Sequence, residues 1–351
     1  MGEFMFSSIL LAFVLLMICP MKFFANTVIK ETSPDGTWLE AYINDDLCIT
    51  KLSFSDASCV QYEYEDQKLS KIVRMDSLGR ELYTHTYHWN ESQPTHHIGW
   101  FSTQYIYDDH GRVTAKLNPW YQADVEYNSE GQAIRIGNKI YTYDTSGQIT
   151  SEQGYFHAIY DESFNPIALN GQSVPAMEYD SEGNLIREGF IYDENNNLIE
   201  ASGERYTYDA LGRRIQKNNT CYLYLGFEEI GSFENGHCRT LKIPGIGGPI
   251  AIEIEGKAYA PIIDAQGIIR KLIDPITNSV YTEVDCDIFG GGLTDAIPYA
   301  YRGKRYDTLT NLIYFGKRYY DPSLHQWITP DPFGILRPHR RQFLGVRTGI
   351  R

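Results

Sequence analysis

The sequence predicts an all-β fold made of repeated β-hairpins. Three observations carry that prediction. A short motif, Tyr-x-Tyr-Asp-x-x-Gly, recurs through the middle of the chain. Tyr is abundant, with 27 residues against 16 Phe and 5 Trp, and 30 Gly sit among Asn- and Asp-rich gaps, a composition that favours strands and tight turns. Beyond the N-terminus, no long stretch spaces its apolar residues as a helix does.

The fullest early copy of the motif is Tyr105-Ile106-Tyr107-Asp108-Asp109-His110-Gly111-Arg112. It returns at residues 141–148, 177–184, 190–197 and 206–213, with weaker copies at 125–132, at 160–166 and after Asp76. Side chains alternate along a strand, so the two rings of Tyr-x-Tyr share one face. Asp opens a turn, because its carboxylate accepts a backbone N–H two residues on. Gly three residues later suits a position with positive φ. In the copy at 190–197, Asn197 is expected to replace that glycine, Asn being the next residue to tolerate positive φ. An apolar strand follows each turn, as at Ile134, Ile149, Leu185, Leu198 and Ile215. A lone hairpin is marginal in water, so the units should pair edge to edge and share a tyrosine-rich face. The rings are expected to pack on each other, and the alternative is an outward platform for stacking carbohydrate.

The first 25 residues differ from the rest. The run from Ile9 to Ile18 is apolar, and its length of about ten residues suits a signal-peptide core better than a membrane span. Ala25 is a candidate cleavage position, and an uncleaved anchor is the alternative; no basic residue precedes the run. Membrane involvement is expected for this segment only. The formal charge of -14 repels phosphate and argues against nucleic acid as a partner. A basic tail spans residues 335–351. Removal of Cys19 with the leader would leave Cys48, Cys59, Cys221, Cys238 and Cys286, of which Cys48 with Cys59 and Cys221 with Cys238 lie close enough in sequence to staple neighbouring strands. No CxxC pair is present, and His85, His88, His96 and His97 lack a completing Cys or carboxylate pattern. They are expected to be ordinary surface or strand residues, with no metal and no cofactor.

From residue 221 the chain changes character. Residues 243–254 are apolar and Gly-rich but lack the Gly-Lys-Ser/Thr of a phosphate loop, and Asp264, Asp274 and Asp287 open further turns. Three segments then carry a specific resemblance: Tyr299-Ala300-Tyr301-Arg302-Gly303-Lys304-Arg305-Tyr306-Asp307, the run from Asn311 to Pro322, and Trp327-Ile328-Thr329-Pro330-Asp331-Pro332-Phe333-Gly334. Together they resemble the core-associated segment of Rhs (rearrangement hotspot) YD-repeat proteins. With the repeats, the resemblance covers about residues 60–334.

The resemblance implies a spiralling, partly open YD-repeat shell like those of teneurins and the C components of insecticidal toxin complexes. Its expected parts are a signal peptide or anchor (1–25), N-terminal strands with degenerate repeats (26–100), YD repeats (101–220), the Rhs core-associated segment (221–334) and the tail. The expected role is an exported, secreted or envelope-associated scaffold of polymorphic-toxin type, non-enzymatic and without its own toxin cargo. Protein cargo or a cell-surface glycan or protein would be the partner. A surface adhesion or carbohydrate-binding module is the second reading. In family members that cut their own chain, core aspartates serve as an acid/base pair beside an Arg. Arg318, Asp321 and Asp331 match those positions, whereas Tyr319 stands where self-cleaving members often carry Asp. Self-cleavage is therefore the third reading.

Overall fold

The computed structural model describes residues 27–161, 165–175 and 177–331. The expected leader and the basic tail lie outside the described residues. Among the described residues there is no helix, and so none long and apolar enough to cross a membrane. The described strands form three antiparallel sheets in strict chain order. Sixteen strands run from Thr27 to Ser173, eleven from Ile191 to Glu283 and four from Arg305 to Trp327. Within each sheet every strand pairs with its sequence neighbours, as an array of hairpins requires. The second sheet continues across residue 221, because Arg214–Lys217 pairs with Thr220–Leu225.

The motif's turn has one geometry throughout. In the copy at Asp108, the carboxylate accepts the N–H of His110 (3.0 Å) and of Arg112 (2.9 Å), and Gly111 N–H returns to the Asp108 carbonyl (2.9 Å). Asp144, Asp209, Asp264 and Asp287 repeat it. The residue four after Asp completes the site. Arg112 and Arg213 each donate Nε to their Asp at 2.7 Å, and Asn184 and Asn197 donate their side-chain amides at 2.9 Å. Gly111 has φ +78° and Gly147 φ +83°, a region in which a Cβ is disfavoured.

The expectation for Asn197 is corrected here. The left-handed residue of that copy is Asn196 (φ 63°), three after Asp193, whereas Asn197 is the fourth residue and bonds Asp193 through both backbone and side chain. With three consecutive asparagines, residue type alone cannot assign the register; the distance from Asp does.

A β-bulge falls just before the turn-opening Asp or Asn of several copies, between Ile106 and Tyr107, Glu126 and Tyr127, Thr142 and Tyr143, and Thr207 and Tyr208. The tyrosines face inward. Tyr141 and Tyr206 are buried, and the second Tyr of each pair is half-buried with its hydroxyl anchored to the preceding unit. Tyr107 donates to Pro94 O (2.7 Å), Tyr127 to Val113 O (2.9 Å), Tyr143 to Ala133 O (2.7 Å) and Tyr208 to Leu198 O (2.6 Å). The residue between them faces out, as Ile106 and Thr142 do. An inward ring with a bonded hydroxyl is a packing element, so these tyrosines do not form the outward carbohydrate platform.

The first two sheets face one another. Leu39, Leu52, Val60 and Ile72 pack on Leu223, Ile230, Ile243 and Ala251. Further along, Ala123, Val125, Ile136 and Tyr141 pack on Ile252, Tyr259, Ile268 and Ile269. Polar bridges fix the alignment. Arg74 meets Glu253 at 2.9 Å with both side chains buried, and Tyr83 donates to the same carboxylate at 2.7 Å. Arg213 meets Glu31 at 2.9 Å.

All five described cysteines are free thiols. Cys221 and Cys238 both register with Phe233 from opposite sides, which puts a whole strand between them, about 10 Å at the usual spacing. Cys59 lies opposite Ser53, at the far end of the strand Ile49–Phe54 from Cys48. Neither pair meets the distance a disulfide requires.

The corrected turn makes a prediction. Asn196→Gly should leave stability within a few tenths of a kcal/mol, whereas Asn196→Val should lose about 1–2 kcal/mol, because a β-branched residue is strained at positive φ. Asn197→Ala should lose about 1 kcal/mol through its bond to Asp193. Urea midpoints with unchanged m-values would measure all three.

Candidate functional site

The segment from Val284 to Asp331 is packed against the inner faces of both sheets. Tyr299, Ala300, Tyr301, Ile313 and Tyr320 are fully buried against residues of the first and second sheets. Leu312, Tyr314 and Tyr319 join Leu198, Tyr206, Tyr222 and Tyr224 in a separate cluster.

A polar seam runs beneath this segment. Arg214 (0% exposed) is bonded to Asp307 (1% exposed). Its guanidinium also reaches Tyr319 OH at 3.1 Å and lies 4.5 Å from the Tyr314 ring and 4.7 Å from the Tyr222 ring. Tyr314 OH accepts the Arg214 backbone N–H (2.6 Å), and Tyr224 OH donates to the Arg214 carbonyl (2.7 Å). Lys217 adds a second cation 3.2 Å from Asp307. One step along, Arg305 holds Glu229 at 2.6 Å and donates to Tyr299 OH at 2.7 Å. Lys304 and Lys242 share Glu228. Burial alone would disfavour each charge, raising the Asp307 pKa and lowering that of Arg214. The nearby opposite charges outweigh it: Arg214 and Lys217 hold Asp307 below the usual carboxylate value, and Asp307 holds Arg214 well above the usual arginine value. The Lys304-Arg305-Tyr306-Asp307 stretch is therefore a docking strip, each charge seated on a partner in the second sheet.

The residues proposed from sequence separate into two places. Arg318 faces Asp331 at 3.4 Å and lies 4.1 Å from the Trp327 ring centre. Burial keeps Arg318 below the usual arginine value, with Asp331 opposing. Asp321 is elsewhere engaged. It accepts Ser323 N–H (2.8 Å), Ser323 Oγ–H (2.5 Å) and Leu324 N–H (3.2 Å), and pairs with Arg187 at 2.5 Å. Arg318 and Asp331 thus come together, while Asp321 caps its own turn and ties it to the link between the first two sheets.

A second pair of carboxyls went unnoticed in the sequence. Glu152 is fully buried, bridges Lys139 at 2.5 Å and accepts Ile288 N–H at 2.6 Å. Beside it, Asp287 is pushed up to about 6, chiefly by burial; N–H groups of Gly291 and Phe289 oppose the rise and the Glu152 charge adds to it. A signal was present. Where the turns of the YD repeats carry Arg, Asn or Gln four residues after Asp, this one carries Gly291, which, like Ile268 after Asp264, brings no polar side-chain partner. A Cβ at Gly291 would lie 2.4 Å from Asp287 Oδ2, so any larger residue would push the Asp287 carboxyl from its present place.

The four histidines are strand residues, as one arm of the expectation had it, but His85 and His97 are turned inward: His85 is 2% exposed, its Nδ1 is 2.8 Å from His97 Nε2, and burial pushes the pair down to about 4 and about 3. Among the described residues no group of three or more His, Cys, Asp or Glu is placed to hold a metal ion.

The fold is an all-β array of Asp-turn hairpins in two large sheets packed on a C-terminal segment, and comparisons with known proteins can be set beside it. No protein-family model matches the chain. It is 25% identical over 264 residues to teneurin-m of Drosophila melanogaster and 24% identical over 284 residues to teneurin-3 of Mus musculus, covering 66% of this chain and 10% of each relative. It is 27% identical over 246 residues to the tRNA3(Ser)-specific nuclease WapA of Bacillus spizizenii, covering 62% and 10%. The chain thus spans about a tenth of the length of these relatives. Among solved structures, the Photorhabdus luminescens Tc holotoxin pore matches with TM-score 0.50 and 15% identity over 86% of this chain and 20% of that one. A TcdB2-TccC3-TEV crystal structure matches with TM-score 0.50 and 16% identity over 87% and 21%. At these identities the relatives mark a distant likeness to teneurins and WapA, and the structures show the shared all-β fold.

Two measurements test the seam and the carboxyl pair. Asp307→Ala should cost about 3–5 kcal/mol by stranding buried Arg214, and an Arg214→Met/Asp307→Leu double variant should recover most of it. Asp287 has a folded pKa above its unfolded value near 3.8, so its neutral form favours folding below that value. That contribution is lost as pH rises through about 6. Asp287→Asn should therefore gain about 2–3 kcal/mol relative to the parent between pH 4 and 7, read from urea unfolding at each pH.

Proposed function

We propose that the chain is the wall-and-core portion of an exported Rhs-type YD-repeat shell, acting as a scaffold and not as an enzyme. The observation that carries this reading is the docking strip. The charged residues of the family-like motif are spent on internal partners: Lys304 on Glu228, Arg305 on Glu229 and Asp307 on Arg214. Catalytic groups need a reacting bond within reach and an unoccupied coordination position, and these three are closed off by burial and pairing. The names of the relatives, teneurins and a tRNA nuclease, support a place in large cell-surface or toxin-type proteins. A protein docked on or held by the shell is the partner this reading implies. Export rests on the N-terminal apolar run.

Arg318 and Asp331 are the residues on which the self-cleaving reading would rest. Purified full-length chain should remain a single band on a denaturing gel over days at neutral pH, unchanged in Asp331→Asn. A fragment ending near residue 331 that disappears in Asp331→Asn would overturn the non-enzymatic assignment. N-terminal sequencing of the exported protein should begin at or just after Ala25; retention of Met1 in a soluble cytoplasmic fraction would contradict export.

A further inference from the structure

Between the two large sheets lies a cavity of about 40 Å³ that the scaffold role does not explain. His85, His97, Thr103, Lys116 and Asn118 of the first sheet line one side, and residues 246–250 of the second sheet line the other. At about 10–15 Å³ of such volume per water, it has room for about three waters or one small polyatomic ion.

The lining is built, and it is one-sided in charge. Lys116 is 8% exposed, its Nζ lies 5.5 Å from the Tyr105 ring centre, and among the described residues it makes no ion pair. Burial lowers it to about 8, so it is mainly a cation at pH 7. His85 Nε2 is buried without a hydrogen-bond partner. Assigning the proton of the histidine–histidine bond to His97 Nε2 makes the free His85 Nε2 an N–H donor. Asn118 Oδ1 is occupied by Trp120 N–H (2.9 Å) and Tyr121 N–H (2.8 Å), which leaves its NH₂ group as a donor. Gly99 makes room for the His85 ring, since a Cβ there would fall 2.2 Å from its Nδ1.

A largely buried ammonium with no ion pair, acted on only by the Asp264 charge outside the cavity lining, and a buried donor without an acceptor each cost free energy, and one anion answers both. No carboxylate or thiol lines the cavity, and Lys116 repels cations, so the donor set argues against a metal. We propose that the cavity binds a small oxyanion of phosphate or carboxylate type, with Lys116 as its counter-ion and His85 Nε2, Asn118 NH₂ and the Thr103 hydroxyl as donors. The anion would cross-link the two sheets.

Thermal unfolding of the full-length chain tests this, with inorganic phosphate and acetate titrated separately at constant ionic strength. At least one should give a saturable rise in Tm of about 2–4 °C. The two arms distinguish a tetrahedral from a planar ligand. Lys116→Met keeps the volume of the side chain and removes the charge, so it should fold with unchanged or higher Tm and lose the response. His85→Gln should weaken the response at least tenfold in concentration. No saturable rise with either anion, or an equal rise in Lys116→Met, would overturn the proposal. So would a rise with zinc alone that His85→Gln abolishes, which would make the site a metal site.

Discussion

Arg214 and Asp307 form an ion pair that neither partner can leave alone. Each is almost wholly buried, each is held in its charged form by the other, and they stand 93 residues apart in the chain. Separating them would strand a charge in a low-dielectric interior, a penalty larger than most single apolar contacts can offset. The pair therefore couples two parts of the fold that local sequence does not connect. Arg214 belongs to the hairpin array and Asp307 to the segment inside it. Tyr314, Tyr319, Tyr222 and Tyr224 surround the pair: Tyr319 OH bonds Nη1, Tyr314 and Tyr224 bond the Arg214 backbone, and ring faces lie against the guanidinium, whose Nε and Nη2 have no hydrogen-bond partner.

The array needs such a segment for a simple reason. Hairpins that pair only with their neighbours make a long sheet with two faces, and the tyrosine face must be removed from water. Here the first sheet covers part of the second, and residues 297–320 cover the remainder. Repeat and core are thus two halves of one solution. The turns set strand spacing through Asp and its fourth neighbour, the bulges add twist before several turns, and the tyrosine hydroxyls link each unit to the one before. Those interactions are local. What gives the molecule one arrangement of sheets is the smaller set of distant bridges, Arg74–Glu253, Arg213–Glu31 and Arg214–Asp307.

This division explains what could be read from the residues beforehand. The hairpin unit, its Asp turn and the positive-φ glycine depend on neighbours within five positions, and the motif shows them. The error at Asn197 arose where three asparagines in a row hid the register. Burial of His85 and His97 depends on residues 246–250 of the facing sheet, about 150 positions away, so the sequence could offer surface or strand for them without deciding which side faces in. Asp321 and Asp331 looked equivalent because both precede Pro. Tertiary placement separates them, with Arg187 taking one and Arg318 the other. Glu152, held by Ile288 N–H, acts by its charge on Asp287 135 positions away, and only the missing side chain at Gly291 hinted at it.

The central claim is that the core segment and both large sheets form one cooperative unit held through the buried seam. Native-state hydrogen exchange followed by mass spectrometry tests it directly. Peptides covering residues 297–321 should open with the same free energy as those covering 221–274 and 121–160, all equal to the global unfolding free energy. Exchange of 297–321 at a distinctly lower free energy, with both sheets still protected, would contradict the account and make the segment an accessory to a self-sufficient array.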